Sequence, residues 1–111
     1  MKGTIKSKTD IERLFSEGRR FNTRSVVIIA MKREGKRDLD GRVAYIAGKK
    51  LGNAPQRNYA KRVMRQMVRE IEIRREDIDL VFMARKPLLD ANYNDIKEDC
   101  RRMVQRIEKE I

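Results

Sequence analysis

Residues 43–71, VAYIAGKKLGNAPQRNYAKRVMRQMVREI, decide the fold. Their apolar opening, residues 43–47, predicts a short buried strand that Gly48 ends. Residues 51–55 predict an entry loop, and its Pro55 suits the first turn of a helix, where the missing N–H is not needed. From Gln56 to about Ile73 the pattern is helical. A strand, a loop and a helix are therefore expected in succession.

On the N-terminal side, the pattern predicts a short helix that Ser7 or Thr9 caps and Gly18 ends. The β-branched run at residues 25–31 predicts a buried strand, and the charged residues 32–41 predict a loop. The apolar positions of the first helix are Ile11, Leu14 and Phe15.

On the C-terminal side, residues 78–84 predict a third strand and residues 93–109 a last helix with Asn92 as its cap. The order α-β-β-α-β-α predicts an α/β (α+β) fold, a two-layer sandwich with helices on one side of three or four strands. The middle helix joins two strands, which are therefore expected to be parallel, with a right-handed connection as the general default. All of residues 1–111 are expected to form a single domain.

The charge composition predicts a polyanionic partner. The chain has 111 residues, 28 Lys and Arg against 17 Asp and Glu, and a formal net charge of +11. This excess indicates a nucleic acid or an acidic membrane surface.

The missing residue types exclude several kinds of site. The chain has no His, so it has no imidazole general base, and its single Cys, Cys100, forms no internal disulfide. Asp77 and Asp79 are the nearest approach to a carboxylate pair, but they are expected at a strand start. The sequence therefore predicts no catalytic and no metal-binding protein residue. A lone Cys, no apolar run of about 20 residues and no signal-peptide pattern predict a cytoplasmic protein without a membrane partner.

The positive charge is concentrated on the middle helix and the loop before it. Residues 49–69 contain seven basic and no acidic residues, whereas residues 70–111 contain nine basic and eleven acidic ones. A helical wheel separates an apolar arc from a basic arc of about 140°. The apolar arc contains Ala60, Val63, Met64, Met67, Val68 and Ile71. The basic arc contains Arg57, Asn58, Lys61, Arg62, Arg65 and Arg69.

Three interpretations of this helix are open. Most charged helix faces are simply solvated, but those usually mix the two signs of charge. A helix on a membrane surface needs its apolar face for lipid, and the strands need the same face for a core. Nucleic-acid binding fits best, because arginine forks donate paired hydrogen bonds to phosphate.

The sequence around this helix resembles the protein subunit of bacterial ribonuclease P. Residues 49–65, KKLGNAPQRNYAKRVMR, carry the most specific part, the Arg-Asn-x-x-Lys-Arg-x-x-Arg pattern after Gly-Asn-Ala. TDIERLFSEG at residues 9–18 is similar to the first helix of that family. RVAYIAGKK at residues 42–50 and DLVFMARKP at residues 79–87 resemble its second and last strands.

The resemblance implies a ribonucleoprotein that removes the 5′ leader from precursor tRNA. A large RNA partner performs the hydrolysis with Mg²⁺, which the RNA mainly holds, and the basic protein binds that RNA and the leader. No obligate protein partner is expected. The implied fold is an α/β sandwich with a left-handed β-α-β crossover, against the right-handed default.

The resemblance also assigns residues by position. The expected contacts with the catalytic RNA are Lys49, Lys50, Arg57, Asn58, Lys61, Arg62, Arg65 and Arg69. The expected leader-binding cleft contains Ile11, Phe15, Val27, Ile29, Ala84 and Lys86. Tyr59 replaces the second Arg that usually follows Arg-Asn, and Ile11 and Ile29 stand where aromatics are frequent. Weaker or shifted leader contacts are therefore expected.

For several other residues, a purely structural interpretation competes with a functional one. Phe15 alone is more typical of a core than of a ligand platform, and Cys100 is expected to be buried. The arginines of the last helix share it with acids, which favours a solvated face. The loop cations Lys32, Arg33, Lys36 and Arg37 are expected to add nonspecific phosphate contacts.

Two functions compete with the ribonuclease P role. One is a non-catalytic RNA-binding protein, such as a ribosome-associated factor. The other is a small protein-only endoribonuclease that works through Lys, Arg and Tyr without His.

Overall fold

A computed structural model describes residues 3–33 and 41–111 of the chain. Residues 34–40, most of the predicted charged loop with Lys36 and Arg37, lie outside the described residues. The strands are β1 Gly3–Thr4, β2 Arg19–Asn22, β3 Val26–Lys32, β4 Arg42–Ile46 and β5 Ile78–Ala84. The helices are α1 Lys8–Glu17, α2 Ala54–Glu70 and α3 Tyr93–Glu110. Short 3-10 turns span Lys49–Leu51 and Lys86–Leu89.

The described strands form one mixed sheet in the order β1-β4-β5-β3-β2. Strands β4 and β5 are parallel neighbours joined through α2, which confirms the predicted parallel pair. Strand β3 pairs antiparallel with β5 on one side and with β2 on the other. The mixed α+β class is confirmed, and the left-handed sense of the crossover stays a prediction from the resemblance.

The predicted helix caps are confirmed. Ser7 Oγ accepts a hydrogen bond from the backbone N–H of Asp10 at 3.3 Å, and α1 ends before Gly18. Asn92 caps α3 through the N–H of Asn94 at 2.8 Å. Helix α2 ends at Glu70, about three residues before the predicted end, and Pro55 lies in its first turn.

Two short edge strands were not predicted. Strand β1 has only two residues. Strand β2 has one buried residue, Phe21, among exposed polar ones, so it lacks the apolar alternation that indicates a strand. Its backbone pairing with β3 places it in the sheet.

Helices cover both faces of the sheet rather than one. Helices α2 and α3 pack on the face that Ile28, Leu80 and Phe82 line. Helix α1 packs on the opposite face through Leu14, against Val27 and other strand residues. The expectation of helices on one side alone was therefore wrong, because β3 and β5 are apolar on both faces and each face needs a cover.

We predict that Gly18→Ala lowers the free energy of unfolding by about 1–3 kcal/mol. A Cβ at this position would lie 2.5 Å from the carbonyl oxygen of Leu14 and 2.7 Å from Cγ2 of Ile29. Urea denaturation measures the change. Gly48→Ala is the matched control, because nothing lies within 4 Å of a Cβ built there. Equal stabilities for the two variants would contradict the close packing of α1 on β3.

Candidate nucleic-acid interface

The packing of α2 on the sheet decides which of its side chains face outward. Met64 and Met67 are fully buried, and Ala60 and Val63 are buried beside them. These residues belong to the predicted apolar arc, so the opposite side of the helix is turned away from the sheet. The predicted basic arc therefore lies on the surface.

The cations of this surface form no ion pairs among the described residues, which separates them from most other arginines of the chain. Arg57 and Lys61 are partly buried and the others are exposed. We call this surface the basic face and define it by Lys49, Lys50, Arg57, Asn58, Lys61, Arg62, Arg65 and Arg69. Most of the described arginines elsewhere form ion pairs: Arg75 with Asp77, for example, and Arg101 with Glu98.

The turn before α2 fixes the two lysines beside the start of the helix. Leu51 is buried and anchors the Lys49–Leu51 turn in the core. Asn53 Oδ1 accepts from the N–H of Gln56 at 3.0 Å, and Gln56 Oε1 accepts from the N–H of Asn53 at 2.9 Å. This capping box holds the entry loop in one conformation. The sequence predicts this loop, whereas the capping box was not predicted, although Asn followed three residues later by Gln is its signature.

Two tyrosine rings lie next to arginines of the basic face. The Arg65 guanidinium carbon is 5.8 Å from the Tyr45 ring centroid, and that of Arg62 is 6.0 Å from the Tyr59 ring centroid. Tyr45 is half-buried and stacks on Phe82. Burial raises the pKa of Tyr45, although the charges of nearby arginines oppose the rise. A cleft of about 910 Å³ lies beside Tyr45 and extends to Ile11 on the other side of the sheet.

The predicted leader cleft is only partly brought together. Val27 and Ile29 are buried beneath α1 and belong to the core of that face. Ile11 is partly buried in the same cluster. Phe15 is 41% exposed, so its interpretation as a core residue was wrong. Lys86 is exposed in the turn after β5.

Ala84 lies on the opposite face of the sheet and is a correction to the predicted cleft. It packs with the core beneath α2 and α3. Successive residues of a strand point to opposite faces, so Met83 lies on the other face, which α1 covers. We call this side, with α1 itself, the α1 face. Met83 is paired with Val27 and Ile46, and both Met83 and Ile46 are partly exposed. The alternation of the strand was the signal that could have selected Met83.

The basic face and the α1 face meet at one edge of the sheet. Parallel strands have their carboxyl ends at the same edge. Strand β4 leads there to Lys49, and β5 leads there to Lys86. The α1 face and the basic face are therefore joined by lysines at this edge.

The carboxylates near the start of β5 bind arginines. Asp79 is buried, and its side chain accepts hydrogen bonds from the backbone N–H of Arg42 at 2.8 Å and from its guanidinium at 3.1 Å. The Arg75 guanidinium holds the pKa of Asp77 at about 2, below its usual value. Within residues 3–33 and 41–111, no three His, Cys, Asp or Glu side chains lie together in a way that would hold a metal ion.

Helix α3 has a different character from α2. Arg101 and Arg102 pair with Glu98, and Arg106 pairs with Glu110, as expected for a charge-balanced face. Cys100 is buried as predicted, and burial raises the pKa of its thiol to about 12. Among the described helices, none is both long enough and apolar enough to cross a membrane.

Comparison with known proteins decides the family. The model of the family described as Ribonuclease P matches residues 2–108. The chain belongs to the ribonuclease P protein family. It is 32% identical over 95 residues to the ribonuclease P protein component of Listeria monocytogenes, covering 85% of this chain and 78% of that protein. For the Streptococcus agalactiae component the identity is 34% over 95 residues, with 86% and 84% coverage.

Solved structures of ribonuclease P proteins share the fold. The Staphylococcus aureus protein has a TM-score of 0.77 at 26% identity, with 96% of each chain covered. The Thermotoga maritima protein also has a TM-score of 0.77, at 21% identity, with 95% of this chain and 97% of that chain covered. Ribonuclease P is a ribonucleoprotein endoribonuclease that matures tRNA 5′ ends, and this chain is its protein component.

We predict that Asp77→Asn weakens the acid dependence of stability. The lowered pKa of Asp77 contributes stability that is present above the ordinary carboxyl value of 3.8 and is lost as the pH falls towards 2. Thermal melts between pH 7 and about pH 2 measure this dependence. The variant should be less stable than the wild type at neutral pH, and the difference should shrink in acid. Asp90→Asn, at an exposed carboxylate without an ion pair among the described residues, should leave the profile unchanged; an equal effect of both variants would contradict the assignment.

Proposed function

We propose that the basic face holds the catalytic RNA of ribonuclease P. The observation that supports this is a set of seven cations within residues 49–69 that form no ion pair with any described residue. A cation without a carboxylate partner does not have to break an ion pair before it binds phosphate. Binding by such a face releases counterions from the RNA. The apolar side of α2 is buried in the core, so this helix has no free apolar face for a lipid surface.

We propose further that the 5′ leader of precursor tRNA lies along the α1 face. The exposed Phe15 ring gives a platform on which a nucleobase can stack. The partly exposed Met83 and Ile46 add apolar surface on the face of the sheet that α1 covers. Lys86 adds a positive charge at the edge of the sheet where β5 ends. Because these contacts recognise stacking and charge, they tolerate any leader sequence.

The protein and the RNA have different tasks in the proposed holoenzyme. Among the described residues, Asp77 and Asp79 are engaged by arginines and no three carboxylates lie together, so we assign the Mg²⁺ ions to the RNA partner. The chemistry of hydrolysis is then carried by the RNA and its ions, while the protein positions RNA and leader. We also propose that the chain acts as one domain and in the cytoplasm.

Arg62→Ala is expected to weaken binding of the catalytic RNA without unfolding the protein. The loss of one phosphate contact should lower the slope of log affinity against log salt by about 0.7–0.9. A titration of the RNA at several salt concentrations measures both quantities, and a thermal melt measures the fold.

The matched control is Arg102→Ala. It removes the same charge from α3, where the Arg102 side chain is exposed and pairs with Glu98. This variant should keep the wild-type salt slope. If both variants lower the slope equally, the RNA responds to net charge and not to the basic face. If the wild type fails to stimulate precursor tRNA cleavage by its RNA at low Mg²⁺, the proposed function itself is contradicted.

Phe15→Ala is expected to weaken binding of precursor tRNA to the assembled holoenzyme but not binding of mature tRNA. Loss of one stacking contact should cost about 1–3 kcal/mol. Competition binding with the two tRNAs measures the difference. Glu12→Ala, at an exposed position on the same helix, is the control and should not reduce leader binding. An equal loss for both tRNAs would place Phe15 outside the leader contacts.

A further inference from the structure

Tyr59 is an exposed aromatic residue on the helix that carries the basic face. Within the described part of the chain, Phe15 and Tyr59 are the exposed large hydrophobic residues, and Tyr59 is 37% exposed. We infer that Tyr59, with Arg62, forms a stacking site for one unpaired nucleobase of the RNA partner. This inference rests on the proposed function of the basic face and adds a base contact to its phosphate contacts.

The geometry leaves the Tyr59 ring available. Arg62 lies one helical turn after Tyr59, and its guanidinium carbon is 6.0 Å from the ring centroid. Apart from this contact, the Tyr59 side chain has no hydrogen bond, ion pair or ring contact among the described residues. An arginine beside an aromatic ring supports a base in two ways, because it binds the neighbouring phosphate and also stacks on a planar ring.

The other two tyrosines of the chain are committed to the fold. Tyr45 is half-buried with its ring stacked on Phe82. The Tyr93 hydroxyl donates to Glu70 at 2.7 Å, and Lys97 lies over its ring at 5.5 Å. Within the described part of the chain, the Tyr59 hydroxyl has no hydrogen bond and no other ring stacks on its ring, which distinguishes Tyr59 from both.

The place of Tyr59 on the helix separates stacking from charge. It lies on the border of the basic arc, next to Arg62 and outside the run of cations. An arginine at this position would add one more phosphate contact, whereas a tyrosine adds an apolar planar surface instead. Phosphate contacts weaken steeply with salt, but stacking does not release counterions. The salt slope therefore distinguishes the two roles.

The chemistry selects an unpaired nucleotide. Bases inside an A-form helix are already stacked, and its deep, narrow major groove is closed to side chains. A base in a loop, bulge or single strand is free to stack on an aromatic ring. The ligand of Tyr59 is therefore a flipped or single-stranded base next to phosphates held by Arg62 and its neighbours.

The test uses the full-length protein and a single-stranded RNA of about 12 nucleotides, with one 2-aminopurine flanked by uridines. Every protein in this test, the wild type at position 59 included, carries Phe15→Ala, so that the other exposed ring cannot quench the probe. Stacking quenches 2-aminopurine fluorescence. Tyr59→Phe keeps the ring, Tyr59→Leu keeps apolar bulk without a planar ring, and Tyr59→Arg exchanges the ring for a charge. Thermal melts confirm that all three variants fold.

The wild type and Tyr59→Phe should quench equally. Tyr59→Leu should lose the quenching and bind about 5- to 150-fold more weakly with an unchanged salt slope. Tyr59→Arg should also lose the quenching while its salt slope rises by about 0.7. If Tyr59→Leu quenches and binds like the wild type, or if its salt slope falls with its affinity, the stacking role is overturned. If the wild type shows no salt-dependent binding of RNA at all, the proposed function fails together with this inference.

Discussion

The burial of one side of α2 against the sheet is the constraint on which the surface of this protein depends. Met64 and Met67 have no exposed area, so the helix cannot rotate about its axis without opening the core. The same packing sets the direction of every cation on the opposite side. Repulsion among those cations costs stability that burial offsets, and the capping box at Asn53 fixes where the helix begins.

The sheet topology then connects this helix to a second surface. Because β4 and β5 are parallel, both strands end at one edge, and Lys49 and Lys86 follow them there. Phe15 and Met83 belong to the α1 side of the sheet, whereas Arg62 and Arg65 belong to α2. In the arrangement proposed above, RNA on the basic face and a leader on the α1 side of the sheet would approach each other across this edge, as positioning of two RNA segments requires.

Much of this arrangement is readable from local patterns in the sequence. Strand β5 coincides with its predicted span, and the wheel of α2 separates the same two faces that the structure shows. The features that the sequence did not predict depend on tertiary contacts. Strand β2 forms through pairing with β3 and has only Phe21 as an apolar signal. Phe15 is exposed because Leu14 occupies the buried position of α1. The apolar pattern of so short a helix does not show which of these two neighbours faces the sheet. The sequence does contain the signal that selects Met83 instead of Ala84 for the α1 side of the sheet, because neighbouring residues of a strand point to opposite faces.

The most direct test of the account maps the RNA next to each helix. Because the Cys100 thiol is buried with a pKa raised to about 12, a cysteine introduced on the surface is labelled selectively. Gln66→Cys places an iron chelate on α2 beside the basic face, and Gln105→Cys places it at an exposed position on α3. In the assembled holoenzyme, hydroxyl radicals from position 66 should cut the catalytic RNA at localised sites, and those from position 105 should cut it weakly or not at all. Strong localised cutting from position 105 with none from position 66 would contradict the assignment of α2 as the RNA-binding helix.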